Sequence, residues 1–321
     1  MINAGIIGGA GYTGGELIRL LLNHPEVELN FIQSQSQAGK PVTAVHTDLM
    51  GEVEMTFSSN VTVDVDVLFL CQGHGKAKEF FQKQDIPSSI KVVDLSHDFR
   101  ISDDSHSFTY GLPELQKDVI KNADKIANPG CFATAITLGL LPLAARGLLK
   151  KPAHINAITG ATGAGQSLSS TSHFSWRNNN VSVYKPFQHQ HLAEIGQSLQ
   201  QANGATIPDL NFIPVRGNFS RGIFASLYTE TDMDQNEALE LYQDFYSAHP
   251  FTWVSDQNPS LKEVVNTNKC LLYLEKHGRQ LLIVSVIDNL LKGAVGQAVQ
   301  NMNLMFGLDE TTGLKLKAIG F

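Results

Sequence analysis

The chain has 321 residues, 42% apolar and 17% charged, the balance of an ordinary soluble globular protein and longer than one core usually serves, so two domains are expected. A formal net charge of -7 speaks against a nucleic-acid surface, which needs a basic patch, and no apolar run is long enough to span a bilayer. No basic start and cleavage site precede the first strand pattern, and the three cysteines, Cys71, Cys131 and Cys270, lack metal-type spacing, so they read as thiols of a cytoplasmic protein rather than a disulfide frame.

Residues 2–7 are short, apolar and bounded by glycine, as in a buried parallel strand. Gly8-Gly9-Ala10-Gly11-Tyr12-Thr13-Gly14-Gly15 follows, then an apolar helical spacing over 16–22 that His24-Pro25 ends. Strand, glycine-rich turn and helix form the context in which a dinucleotide pyrophosphate is held. Gly8, Gly11 and Gly14 let the backbone come close, Tyr12 and Thr13 lie between them, and the helix N-terminus faces the negative charge. A second strand is expected over 27–32. The loop after it, Ser34-Gln35-Ser36-Gln37-Ala38-Gly39-Lys40, has no acid for a ribose 2′-hydroxyl. Ser34, Ser36 and Lys40 suit a 2′-phosphate instead, so the expected cofactor is NADP(H).

Two more buried strands are expected over 65–70 and 91–95. Gly73-His74-Gly75 follows the first. Ser96-His97-Asp98-Phe99-Arg100 follows the second, where the planar fork of Arg100 suits an anion and His74 and His97 read as structural. Asn128-Pro129-Gly130-Cys131 then turns the chain sharply into a helical run, which sets Cys131 at a helix N-terminus. Unpaired N–H groups and the helix dipole favour a thiolate there. A strand over 155–159 leads to the glycine-rich loop 160–167. No apolar helix follows it, so it reads as a loop closing on a substrate rather than on a nucleotide. Residues 169–180 are polar and read as an irregular, mobile segment.

His189 and His191 stand just before a helical run over 192–199. With Cys131 they are too few for a zinc site, and no metal is expected. A Cys–His pair for nucleophilic and acid–base work is the better reading. Strands over 210–215 and 222–229, a helix over 236–249, and a hairpin of 271–274 with 281–286 point to a mixed or antiparallel sheet. Cys71 and Cys270 lack a Pro-Gly corner and read as structural. A last helix over 295–306, apolar or amide in character, is expected to return to the first domain. The fold class is therefore α/β. A Rossmann-type parallel-sheet nucleotide domain (1–130 and 294–321) joins an α+β catalytic domain (131–293) that also serves oligomerisation.

The chain resembles the N-acetyl-gamma-glutamyl-phosphate reductase family of the semialdehyde dehydrogenase superfamily, nearly end to end. The resemblance is carried by Gly8 to Glu16, Asp94-Leu95-Ser96 with Asp98-Phe99-Arg100, Tyr110-Gly111-Leu112-Pro113-Glu114-Leu115 and Asn128-Pro129-Gly130-Cys131. It continues through Gly163-Ala164-Gly165, His189 and His191, Ser220-Arg221-Gly222, Asp288-Asn289-Leu290 with Lys292-Gly293-Ala294, and Gly296 to Met302. It implies NADPH-dependent reduction of an N-acylglutamyl phosphate through a cysteine thioester, in arginine biosynthesis, by a homodimer or homotetramer with a small-molecule substrate. Cys131 falls on the nucleophile and His189 or His191 on the acid–base group. Arg100 falls on the phosphoryl ligand, Gly163, Gln166 and Arg221 on the substrate side, and Asn289 on the nicotinamide end. The family usually has arginine where this chain has Gln166, Gln190 and Gln35. The first two replacements bear on the acyl group: acetyl is the default, with succinyl, carrier-bound glutamyl or aspartyl phosphates as alternatives. An idle NADP sensor is the alternative from another class, against which Cys131 and the two histidines argue.

Overall fold

A computed structural model describes residues 1–320. The chain divides into two compact units, Met1–Pro129 with Ala294–Lys315, and Gly130–Gly293 with the residues from Leu316 onward.

The first unit contains β1 (Ile2–Ile7), α1 (Tyr12–Leu22), β2 (Val27–Gln33), β3 (Val67–Leu70), α2 (Lys76–Lys83), β4 (Lys91–Asp94), β5 (Thr109–Tyr110), α3 (Pro113–Lys121) and β6 (Lys125–Ala127). Its sheet runs β2-β1-β3-β4-β6-β5 with every pair parallel, the expected Rossmann-type arrangement. Strands covered on both faces must be apolar throughout, and all four residues of β3 are buried. The order reverses at β1, so the glycine turn leaves the carboxyl end of the strand where such sheets take ligands. The strands β5 and β6 have two and three residues, too short to show a period in the sequence. Asp98 accepts N–H bonds from Gly75 at 2.7 Å and from Ala77 and Lys78 at 3.1 Å, capping α2 from a distant loop.

The second unit contains α4 (Cys131–Ala145), β7 (Ala153–Thr159), α5 (Phe174–Arg177), β8 (Ser182–Val183), α6 (His191–Asn203), β9 (Leu210–Arg216), β10 (Ile223–Glu230), α7 (Gln235–Tyr246), β11 (Thr252–Val254), β12 (Cys270–His277) and β13 (Gln280–Ile287). The sheet order is β11-β12-β13-β10-β7-β9-β8, with β11–β12 and β7–β9 parallel and the other pairs antiparallel: a mixed sheet. In β7 and β12 buried residues alternate with more exposed ones, as one covered face requires. The helix α4 packs on β10, β12 and β13 and is buried from Phe132 to Ala144. Segment 169–180, expected to be irregular, carries α5 and gathers around buried Arg177. That side chain donates to the carbonyls of Thr171, Asn180 and Arg216 and to the Ser182 hydroxyl.

The chain then returns to the first unit as α8 (Gly296–Met305), which packs against α3, α1 and β4. All ten of its residues are buried, including four amides. Three of the amides meet distant groups: Asn301 donates to Gly111 O at 2.8 Å, Asn303 to Thr312 O at 2.9 Å, and Gln300 to Glu310 at 2.8 Å. The end of the chain joins the second unit, where Ile319 N–H donates to Val265 O and Gly320 N–H to Lys262 O, although 294–321 had been expected to stay together. These are bonds of bare backbone and have no sequence signature. Among the described residues no helix is long and apolar enough to cross a membrane.

Pro142 lies inside α4 and cannot donate to the carbonyl four residues earlier, that of Leu138. The Tyr246 hydroxyl donates to that carbonyl at 2.5 Å. Replacing Tyr246 with Phe orphans a buried acceptor, and urea unfolding is expected to show a loss of about 1–3 kcal/mol.

Candidate active site

The nucleotide-binding turn lies in the first unit. Gly8 has φ +88°, and a Cβ there would sit 2.9 Å from the Cys71 backbone. A Cβ on Gly14 would lie 2.5 Å from Gly8 O, so α1 starts directly on the turn. At Gly11 the nearest atom to a Cβ is 3.9 Å away, which leaves open space for a ligand to approach the backbone. No side chain caps the first turn of α1, and no acid stands in it. Such a cradle fits a pyrophosphate. After β2, Ser34 is buried and its N–H donates to Ser58 O. Ser36 and Lys40 are exposed, and Lys40 is bonded to Gln37 at 3.0 Å. Cys71 is buried in this unit. Burial first, with the Asp94 charge adding, pushes its thiol far up, so it stays protonated.

Arg100, also in the first unit, is buried. It donates to Asn128 O at 2.8 Å and to Leu95 O at 2.9 Å, joining the ends of β6 and β4. Asn128 donates in turn to Ala294 O and accepts from Asn301. This chain segment runs straight into Pro129, Gly130 and Cys131.

Cys131, His189 and His191 come together in the second unit. Cys131 is the first residue of α4, with Gly130 as its N-cap. The Phe132 ring stands 5.4 Å from His189 and 6.3 Å from His191, and the two imidazoles are 4.6 Å apart. His191 N–H donates to His189 Nδ1 at 3.3 Å, which leaves the neutral ring its proton on Nε2. Burial first, then the charge of Lys185, lowers the His189 pKa to about 4. Arg216 adds to the shift and Glu194 opposes it. Glu194 is buried as well. Its Oε1 lies 3.6 Å from His191 Nε2, and its Oε2 accepts the Gly130 N–H at 3.0 Å. One carboxyl thus orients a histidine and holds the corner before the cysteine. Gly293 presses from the other side: a Cβ there would lie 2.8 Å from the Cys131 Cβ. Gly293 sits in a π-helical turn, Leu291–Val295, a geometry frequent at functional sites.

The substrate-side residues divide. Gly163 and Gln166 are exposed on the loop after β7. Arg221 is paired with Asp288, 2.9 Å from Nη2. Asn289 donates to Thr162 Oγ1 at 3.1 Å and accepts from Gly222 N at 2.7 Å, so its amide is engaged within its own unit.

Residues 3–123 match the semialdehyde dehydrogenase NAD binding domain, and residues 131–289 match the semialdehyde dehydrogenase dimerisation domain. The N-acetyl-gamma-glutamyl-phosphate reductase of Christiangramia forsetii is 60% identical over 318 residues, 99% of each chain, and that of Bacteroides thetaiotaomicron 56% over 322 residues, covering both chains in full. This chain belongs to the N-acetyl-gamma-glutamyl-phosphate reductase family. Its fold is also that of aspartate semialdehyde dehydrogenase II from Vibrio cholerae, with TM-score 0.72 at 16% identity over 96% of this chain and 99% of that one. The Candida albicans aspartate semialdehyde dehydrogenase solved with NADP gives TM-score 0.69 at 13% identity over 95% and 98%.

In this member of the reductase family, Glu194 is the residue that the sequence reading missed. Its signal is an acid one helical turn after His191, three positions along α6 and on the same face. Arg216 carried no local signal, and Gly293 stood in the Lys292-Gly293-Ala294 motif of the resemblance with no role assigned to it.

Two outcomes follow from this geometry. Replacing Gly293 with Ala must displace Cys131, and kcat/KM is expected to fall on the order of a hundredfold while the protein still folds. His189 gives a pH dependence. Its folded pKa of about 4 lies below its ordinary value of 6.5, so falling pH protonates the unfolded chain first. Its contribution to stability is complete above pH 6.5 and is lost as pH drops through about 4. Urea midpoints across this range should fall for the wild type and fall less steeply for His189→Gln. Parallel slopes would show that another group titrates.

Proposed function

We propose that this protein reduces N-acetyl-gamma-glutamyl phosphate to N-acetylglutamate 5-semialdehyde and phosphate with NADPH, a step of arginine biosynthesis in the cytoplasm. The observation that carries the reading is Cys131 at the start of α4, with His189 and His191 beside the next residue, Phe132, and Glu194 bonded to the preceding one, Gly130.

His191, backed by Glu194, takes the Cys131 proton, and the α4 N-terminus favours the thiolate that forms. The sulfur attacks the γ-acyl carbon, the bond to the phosphate oxygen breaks, and a thioester is left on Cys131. NADPH, when bound, supplies the hydride that turns this thioester into a thiohemiacetal. Backbone N–H groups at the head of α4 hold the developing oxyanion, a contribution of roughly 3 kcal/mol when such donors are well placed. The carbon–sulfur bond then breaks, the aldehyde leaves, and the sulfur returns as thiolate. His189, neutral and protonated on Nε2, is the second group with a proton to give.

For the cofactor, Gly8, Gly11, Tyr12, Thr13 and Gly14 cradle the pyrophosphate, and Ser34, Ser36 and Lys40 receive the 2′-phosphate. On the substrate side Gly163 and Gln166 lie on an exposed loop. Arg100, Arg221 and Asn289 act by holding the loops that their side chains already bridge. Leu168, Phe174, Val181, Val183 and Phe187 are exposed apolar side chains in the unit that matches the dimerisation domain, which supports a homodimer or homotetramer.

The test runs the reaction in reverse. The semialdehyde, phosphate and NADP⁺ should yield NADPH, with NAD⁺ a poorer substitute. Cys131→Ser should lower turnover on the order of a thousandfold or more with nucleotide binding intact. Limiting iodoacetamide should label Cys131 ahead of buried Cys71 and Cys270, with activity falling in step. Comparable turnover by the serine variant would rule out the thioester.

A further inference from the structure

Arg216 ends β9 inside the second unit. Its guanidinium carbon lies over the Tyr184 ring, 4.7 Å from the centre, and the Tyr184 ring stands 5.7 Å from His189. Both Cys131 and Arg216 act electrostatically on the Tyr184 phenol, so cysteine, tyrosine and arginine share one neighbourhood.

The guanidinium meets the Tyr184 phenol but no carboxylate. Its Nε is buried without a hydrogen-bond partner. Among the described residues no carboxylate lies within ion-pair distance of Arg216. Two other cations stand close: Arg177 feels its field, and Lys185 acts with it on His189, where Glu194, bonded to Gly130 N–H, opposes them. The other arginines of the region are occupied, Arg177 by carbonyls and a hydroxyl, Arg221 by Asp288. The loops that carry Gln166 and Gln190 present neutral amides at those two positions. A buried donor and an uncompensated charge both cost free energy until an anion meets them. A guanidinium is planar and directs its donors along one plane, the geometry of a two-pronged carboxylate contact, and the ring beside it limits its motion.

We propose that Arg216 binds a carboxylate of the acylated amino-acid substrate and so sets which substrates reach Cys131. The proposal rests on the reaction given above. The carboxylate is either that on the α-carbon or one borne by the acyl group, since both present the same fork. It stays on the molecule from substrate to product.

The experiment uses the full-length protein in the reverse direction, with N-acetylglutamate semialdehyde and N-succinylglutamate semialdehyde as alternative substrates. Wild-type turnover tests the reaction itself, so the two readings fail separately. Arg216→Gln is expected to raise the KM for semialdehyde about tenfold or more, the worth of a charged hydrogen bond, while the KM for phosphate and for NADP⁺ stays put. Arg216→Lys keeps the charge without the fork and should fall between the two, and it carries the test if the glutamine variant does not fold. A rise with both semialdehydes assigns the α-carboxylate. A rise confined to the succinyl compound assigns the acyl carboxylate. A rise in the phosphate KM instead, or an unchanged semialdehyde KM in a folded Arg216→Lys protein, overturns the proposal.

Discussion

The bond from the Gly130 N–H to Glu194, 3.0 Å long and buried, is the contact on which the catalytic unit depends. A carboxyl taken out of water is costly unless its oxygens are used. Here one oxygen takes the N–H at the head of α4 and the other faces His191. The corner before Cys131 and the start of α6 are thereby tied together, and the packing of α4 against α6 keeps them so. Cys131 and His191 are thus tied to one buried acid, which bonds the corner before the one and faces the ring of the other.

The first unit applies the same rule at its own sheet edge. Asn128 follows β6 and accepts from Arg100 and Asn301 while donating to Ala294 O. Polar groups there serve to end strands at fixed points rather than to cover a surface. The helix α8, buried along its whole length, supplies amides where loop carbonyls need donors. Even the proline inside α4 follows this logic, since Tyr246 restores the donor that Pro142 lacks.

Much of the site was legible from local signals. Cys131 was marked by a Pro-Gly corner before an apolar run, the nucleotide turn by glycines between strand and helix, and the histidine pair by its position before α6. For Arg100, Arg221 and Asn289 the structure adds partners that residue type does not show. Each is a side chain suited to a ligand, and each is engaged with carbonyls, an aspartate or a backbone N–H of its own unit. Glu194 and Arg216 were hidden. One looked like a helix acid and the other like a loop arginine; Glu194 is buried, and of half-buried Arg216 the Nε is shut away from water.

By itself the sequence determined the elements whose signal lies within a few residues: the strands β1 to β4, the turn into α1, the start of α4 and the hairpin of β12 and β13. Apolar runs, glycines and prolines act on their own backbone, so their consequences can be read in order along the chain. Tertiary structure decided the rest. The three-residue strand β6 exists only because β4 offers a parallel edge, and the two-residue β5 only because β6 offers the next. The amides of α8 are tolerated only because distant carbonyls meet them. Which cations are neutralised and which remain to meet a substrate depends on residues far apart in the chain. Hydrogen bonds and ion pairs are chosen by proximity in space, and the order of residues does not encode that directly.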